Sequence, residues 1–296
     1  MNVSNNIISE DLDHIFNSTA SMWNELRDKQ LFLTGATGFF GTWLLESFIE
    51  ANKKLDLNAK VVVLTRNLDA FQKQSPHICS NRAIRFHIGD VRNYEFPKGT
   101  FSHIIHGATT SATETFNNQD PLIKYDTIAE GTRHTLEFAV YCNCEKFLLT
   151  SSASAYGKQP LEISHISEDF SGAPYTIDKN FDHSVLGEAK RTSEILTTIY
   201  SDKYGIETKI ARCYSFVGPY LPLNIHYAMG NFIRDALNGG PIKILGDGKP
   251  WRPLVHVRDI CKGIIATIEC DREVMHNESF NIGDNNENYQ IKTIAD

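Results

Sequence analysis

Thr34-Gly35-Ala36-Thr37-Gly38-Phe39-Phe40-Gly41 joins an apolar run at residues 31–34 to a stretch at 40–51 whose apolar side chains recur at helical spacing. A strand, a glycine-rich turn and a helix in that order make a cradle for a diphosphate. Gly35 permits the tight turn, Gly38 lets backbone N–H groups approach the anion, and Gly41 lets helix pack on strand, while the helix N-terminus favours negative charge. Thr37, Phe39 and Phe40 belong to the same cradle. The segment therefore predicts a dinucleotide-binding βαβ unit.

Outward from that unit, runs at 61–65, 84–87, 103–106 and 147–151 read as further strands, with helices at 68–74 and 122–141 between them. Such alternation predicts an α/β protein with a Rossmann-type, doubly wound parallel sheet. The second strand ends at Leu64-Thr65-Arg66-Asn67, with no carboxylate to accept from the ribose hydroxyls of NAD. A hydroxyl followed by a guanidinium suits a 2′-phosphate, so NADP(H) is expected ahead of NAD(H). Otherwise Arg66 is a surface residue and Thr65 caps the next helix. In Gly89-Asp90-Val91, Asp90 is either an acceptor for the adenine amino group or a turn former.

A helix at 187–204 and a strand at 207–214 continue the alternation, which then breaks. Residues 217–229 hold Gly218, Pro219 and Pro222, a helix is expected at 231–237, and Gly239-Gly240-Pro241 interrupts the chain again. Before the first strand, Ile7, Ile8, Leu12, Ile15 and Phe16 fall at helical spacing. Three segments are expected: a helical extension at 1–28, the dinucleotide-binding domain at 29–214, and a mainly substrate-binding lobe at 215–296. The last threads back through the second and stops a few residues into a helix begun near residue 290.

Composition narrows the function classes. With 296 residues and 41% hydrophobic content, the chain can bury a substantial core. No stretch approaches the roughly 20 apolar residues of a membrane-spanning helix, and the polar N-terminus lacks a signal-type run, so a cytoplasmic protein is expected. Six cysteines lie scattered, without the paired spacing of a zinc site, which predicts reduced thiols and no metal. A net charge of −7 with no basic block argues against nucleic acid as a partner.

Further signals are His106-Gly107-Ala108, Glu130-Gly131-Thr132, Thr150-Ser151-Ser152-Ala153-Ser154-Ala155-Tyr156-Gly157 and Gly187-Glu188-Ala189-Lys190. Beyond them lie residues 212–219, Gly246-Asp247-Gly248, residues 252–259 and Asn281-Ile282-Gly283. Together these resemble the extended short-chain dehydrogenase/reductase family, the NAD-dependent epimerase/dehydratase proteins acting on nucleotide sugars. The resemblance implies a catalytic Ser, Tyr and Lys. Ser152 and Lys190 match, with Lys190 also holding the nicotinamide ribose, but the tyrosine position is Leu186. Tyr175 and Lys179 have the same spacing within a loop-like stretch, and His183 or water is a substitute proton donor. Ile128 stands where the family often has Asn. Ala108 falls at the cofactor, and Asn231, Arg252 and Ser152 at a nucleoside-diphosphate sugar, with Arg252 against the diphosphate. Ser215 replaces a substrate-contacting Asn. Ala153 and Ser154 replace the Asp-Glu pair of 4,6-dehydratases, which argues against water elimination. A homodimer is expected through helices 122–141 and 187–204.

The expected function is reduction of a nucleoside-diphosphate 4-keto-6-deoxyhexose, of the dTDP-4-dehydro-6-deoxyglucose reductase type. The alternatives are a nucleotide-sugar epimerase and, because of Leu186, an inert binder of the dinucleotide or sugar nucleotide.

Overall fold

The computed structural model describes residues 3–110, 114, 120–177, 181–224 and 228–296, with the backbone alone at 3–7 and 181–183. The chain opens with α1 (Val3–Thr19) and a 3₁₀ turn (Met22–Leu26), then runs β1 (Gln30–Thr34), α2 (Phe39–Lys54), β2 (Lys60–Thr65), α3 (Leu68–Gln74), α4 (Pro76–Cys79), β3 (Ile84–Ile88) and β4 (His103–His106). It continues through α5 (Pro121–Tyr141), β5 (Lys146–Ser152), α6 (Phe181–Tyr204), β6 (Glu207–Cys213), β7 (Phe216–Val217) and α7 (Ala228–Leu237). The remainder comprises β8 (Trp251–Pro253), β9 (Val255–His256), α8 (Val257–Glu269), α9 (Arg272–Met275), β10 (Ser279–Ile282), β11 (Asn288–Gln290) and α10 (Ile291–Ala295).

Seven strands form one sheet in the order β10-β6-β5-β4-β1-β2-β3, and every pairing within it is parallel. The central strands read as near-continuous apolar runs because both of their faces are covered. Side chains alternate between the faces. Leu31, Leu33, Val61 and Val63 face Trp43 of α2 and Ile260 and Ile264 of α8. Phe32, Val62 and Leu64 belong with Phe138 of α5 and Phe147 of β5 on the other side. The expected doubly wound sheet is thus present.

The helical extension expected at 1–28 is α-helical only as far as Thr19, where α1 ends and the 3₁₀ turn follows. Ile15 and Trp23 are buried, and Asp11 accepts from Arg258 of α8 at 3.1 Å. Later segments return to the large unit, since α8 covers one sheet face and β10 pairs with β6. Away from the main sheet, β8 pairs antiparallel with β11, and β7 parallel with β9. No helix among the described residues is long and apolar enough to cross a membrane.

Candidate functional site

The glycine turn sits where β1 and β4 end side by side. Gly35 has φ +73°, and a Cβ there would lie 2.4 Å from the carbonyl oxygen of Gly107. A Cβ on Gly41 would lie 2.1 Å from Ala36 Cα. Gly38 caps α2 in extended backbone and offers no capping side chain, which leaves the first N–H groups of the helix to an anion. These features fit a dinucleotide diphosphate. The rings of Phe39 and Phe40 serve packing instead, lying on Phe216 at centroid distances of 5.0 and 4.1 Å and tying the cradle to β7. Thr37 is half-buried at the turn.

A buried chain of hydroxyls and one imidazole stiffens the floor of the cradle. Thr34 Oγ1 accepts from the Ala108 amide at 3.1 Å and lies 3.0 Å from His106 Nδ1. On the other side of the ring, Nε2 lies 3.1 Å from Thr132 Oγ1, whose own proton goes to the Ile128 carbonyl at 2.7 Å. His106 therefore carries its proton on Nε2, and burial pushes its pKa down to about 3. The glycine of Glu130-Gly131-Thr132 serves packing: a Cβ there would meet Val91 Cγ1 at 2.7 Å. Val91 thus presses its side chain on α5.

At the expected adenosine end, both charged candidates already hold partners. Arg66 forms a two-point pair with Glu114, Nη1 to Oε1 at 2.9 Å and Nη2 to Oε2 at 3.1 Å. The guanidinium fork expected to receive a 2′-phosphate thus lies on a carboxylate, which also raises its pKa. Glu114 is invisible to spacing arguments because it lies far from Arg66 in sequence. Thr65 is buried and accepts from the Asn67 amide at 3.3 Å, while Asn67 caps α3. Asp90 binds Arg92 through Oδ1 and Oδ2, both at 2.9 Å, and this partner holds its carboxyl below the ordinary range.

The expected reacting end is built by β5 and α6. Lys190 is buried, and its ammonium donates to the Thr150 carbonyl at 2.6 Å. Burial pushes its pKa down to about 8, so it remains mainly charged at neutral pH. Near the end of the same strand, Ser152 caps the short 3₁₀ turn Ala153–Tyr156. Its hydroxyl accepts from the Ser154 amide at 3.1 Å and donates to Ser154 Oγ at 3.2 Å. Leu186, half-buried, lies on the same helix face one turn before Lys190. Helix α6 starts at Phe181, ahead of the expected 187. Tyr175 is in irregular, exposed chain; Lys179 and the side chain of His183 lie outside the described residues.

Behind Lys190 is a network absent from the sequence expectations. Glu194 accepts from Arg212 at 2.9 and 2.7 Å and from Ser151 at 2.6 Å. Arg212 stacks over the Tyr156 ring at 4.6 Å, and the Tyr156 hydroxyl donates to Asn281 of β10 at 2.8 Å. Three motif segments and helix α6 are thereby locked together. The expected substrate residues are less engaged. Arg252 is exposed and donates to the Trp251 carbonyl at 2.7 Å. Asn231 lies in the first turn of α7, which begins at Ala228, and its Oδ1 accepts from Arg234 at 3.1 Å. It does not open the helix, as the Pro- and Gly-containing stretch before it suggests.

Comparison with known proteins places the fold and the family. UDP-glucuronic acid decarboxylase 1 of Arabidopsis thaliana is 27% identical over 257 residues, covering 86% of this chain and 54% of the relative. The chain thus spans about half the length of that relative. UDP-glucuronate 4-epimerase of Thermodesulfobacterium geofontis is 24% identical, covering 80% of this chain and 71% of the relative. Among solved structures, UDP-glucuronic acid 4-epimerase from Bacillus cereus, in complex with UDP-glucuronic acid and NAD, superposes with a TM-score of 0.74 at 23% identity, covering 90% of this chain and 80% of that one. A dTDP-glucose 4,6-dehydratase from Bacillus anthracis, in complex with NAD, gives 0.70 at 19% identity, covering 90% and 79%. With the NAD dependent epimerase/dehydratase family model matching residues 31–283, the chain belongs to that family.

Proposed function

We propose that the protein transfers a hydride between a nicotinamide dinucleotide and a ring carbon of a nucleoside-diphosphate sugar, as a reductase of a 4-keto-6-deoxyhexose. The observation that carries the reading is Leu186 on the turn before a buried, intact Lys190. An epimerase must both remove and return a hydroxyl proton, whereas a reductase delivers one proton to an already activated ketone. The absence of carboxylates at Ala153 and Ser154 speaks against water elimination.

A bound dinucleotide supplies the hydride; the chain supplies position and charge. Ser152 turns its hydroxyl from Ser154 to the substrate carbonyl oxygen and polarises it. Lys190, fixed by Thr150, keeps positive charge where the alkoxide forms, and the proton arrives from water through Ser152. Arg252 and Asn231 are placed at the substrate diphosphate and sugar, with Arg252 turning from its neighbouring carbonyl. An epimerase reading is favoured by the similarity to UDP-glucuronate 4-epimerases. Absorbance of the reduced nicotinamide in the presence of a 4-keto-6-deoxyhexose nucleotide separates the two: steady consumption supports reduction, and interconversion of sugar epimers without added cofactor overturns it.

Cofactor choice turns on Glu114. Because its carboxylate occupies the Arg66 fork, NAD(H) is the better reading for the native protein, ahead of the NADP(H) that Thr65-Arg66 alone implies. NAD is also the dinucleotide in the similar solved structures. In Glu114→Gln the fork is freed for a 2′-phosphate, and NADPH affinity relative to NADH is expected to rise roughly tenfold, the scale of one charge-assisted bidentate contact. An unchanged ratio in fluorescence titration would remove Glu114 from this role.

We place the homodimer on α5 and α6. Ile195 and Ile199, one turn apart, are 60% and 50% exposed, and Leu122 of α5 is 72% exposed. Exposed apolar side chains on paired helices mark a contact surface. Ile195→Asp with Ile199→Asp is expected to convert a sedimenting dimer to a folded monomer; a monomeric native protein would refute the placement.

A further inference from the structure

At the N-terminal edge of the sheet, opposite the glycine turn, three distant segments bring Glu25, His103 and Glu269 together with their donor atoms within 4.8 Å of one another. Glu25 lies on the 3₁₀ turn, His103 opens β4 and Glu269 closes α8. The His103 side chain is 0% exposed and that of Glu269 is 4% exposed. On the far side of the ring, Nδ1 is 2.8 Å from Ser102 Oγ, and Ser102 gives its own proton to the Gln30 carbonyl at 3.4 Å. With Ser102 as its acceptor, Nδ1 can carry the ring hydrogen and Nε2 present a lone pair to the cluster.

That lone pair faces carboxylate oxygens, Glu25 Oε1 at 3.6 Å and Glu269 Oε1 at 3.7 Å. Neither separation is a hydrogen bond, and His103 Nε2 and both Glu269 oxygens have no hydrogen-bond partner. Glu269 also borders an apolar cavity lined by Trp23, Leu26, Phe48 and Ile265, which offers it nothing polar. Two acceptors and a lone pair converging in a buried place are satisfied by a cation between them, burial disfavours an imidazolium, and a proton on Glu269, whose pKa burial raises to about 9, is the competing arrangement.

We infer that Glu25, His103 and Glu269 form a binding site for a divalent cation of the zinc class. Ligands on a tetrahedral centre with bonds of about 2.0–2.2 Å lie about 3.3–3.6 Å apart, close to the 3.6 and 3.7 Å from His103 to the two carboxylates. One imidazole with two carboxylates suits zinc rather than calcium or magnesium, which prefer more oxygen donors. Ser102 fixes the imidazole from behind, in the manner of an outer-shell partner. Lys146 lies on Glu25 at 2.7 and 2.9 Å and shares its charge, leaving the cation to bind chiefly through His103 and Glu269. The role is structural: the ion staples the N-terminal extension and α8 to the sheet. No cysteine takes part, and the ligands lie far apart in sequence, so the sequence expectation of no metal had no spacing signal to read.

The test uses the whole chain, stripped with EDTA and titrated with Zn²⁺ against a chromophoric chelator, with Co²⁺ as a spectroscopic substitute. One equivalent of Zn²⁺, a visible Co²⁺ spectrum of tetrahedral intensity and a raised unfolding temperature are expected. His103→Gln and Glu269→Gln are expected to lower affinity by roughly 100-fold or more, while His14→Gln with His256→Gln, at exposed and half-buried groups near α1, retains it. Substitution of a core histidine is liable to disturb folding, so the Co²⁺ spectrum of the native protein and the partly exposed Glu25→Gln provide independent readouts. No bound equivalent in the native protein, as when a proton bridges the two carboxyls instead, overturns the inference. So does binding that persists at native strength in both Glu25→Gln and His103→Gln.

Discussion

Leu186→Tyr is expected to raise the rate of ketone reduction by about 10²–10⁴-fold, the usual scale of general acid catalysis. Position 186 lies one helical turn before Lys190 on the same face of α6. Its leucine is half-buried, so a phenol can be added without overfilling a closed core. Lys190 is already held by Thr150 and remains mainly charged at neutral pH. An ammonium beside a phenol lowers the phenol pKa and gives it a proton to deliver directly, replacing the slower route through Ser152 and water. A folded Leu186→Tyr protein that binds NADH and turns over no faster would point instead to a dinucleotide or sugar-nucleotide binder with no chemistry to restore.

Removal of the Glu194 carboxylate should have the largest effect on stability. In Glu194→Ala, Arg212 loses both of its charge-assisted bonds and Ser151 loses its acceptor. The two charged side chains are only 11% and 15% exposed, and breaking a buried pair from one side costs about 3–5 kcal/mol because the remaining charge is left without compensation. Arg212 would still stack on Tyr156, which places the expected loss toward the lower end. Urea unfolding of the native and Glu194→Ala proteins measures it. A loss under about 1 kcal/mol, the range of an exposed pair, would show that solvent reaches this network and that it does not hold β5, β6, α6 and β10 together.

Most of the large unit is legible in the sequence because its physics is local. The glycine turn, the apolar runs of β1 to β6 and the helical periods of α2 and α5 each announce themselves within a short window, and their observed limits depart from the expected ones by only a few residues. Lys190 and Ser152 are legible for the same reason, each lying in a run of distinctive neighbours. The small lobe is not. Strands of two or three residues, such as β7, β8, β9 and β11, are too short to show a period of two. Helix α8 does carry a buried apolar stripe, Val257, Ile260, Cys261, Ile264, Ile265 and Ile268, but its first turn coincides with the Arg252-to-Asp259 motif, which points toward a substrate site. The partners of the charged residues are hidden altogether. Arg66 with Glu114, Arg212 with Glu194 and His103 with Glu25 are contacts between segments distant in sequence, and no spacing rule reaches them. For that reason a preference for NADP(H) read from Thr65-Arg66 alone takes no account of the ion pair between Arg66 and Glu114.

Hydride transfer from dinucleotide to sugar is tested most directly with NADH deuterated at the transferable C4 position, incubated with the native protein and a nucleoside-diphosphate 4-keto-6-deoxyhexose. Mass analysis of the recovered sugar nucleotide should show one deuterium on the newly formed carbinol carbon, in amounts that track the NADH consumed. An unlabelled sugar epimer formed while the NADH remains intact would contradict the reductase assignment.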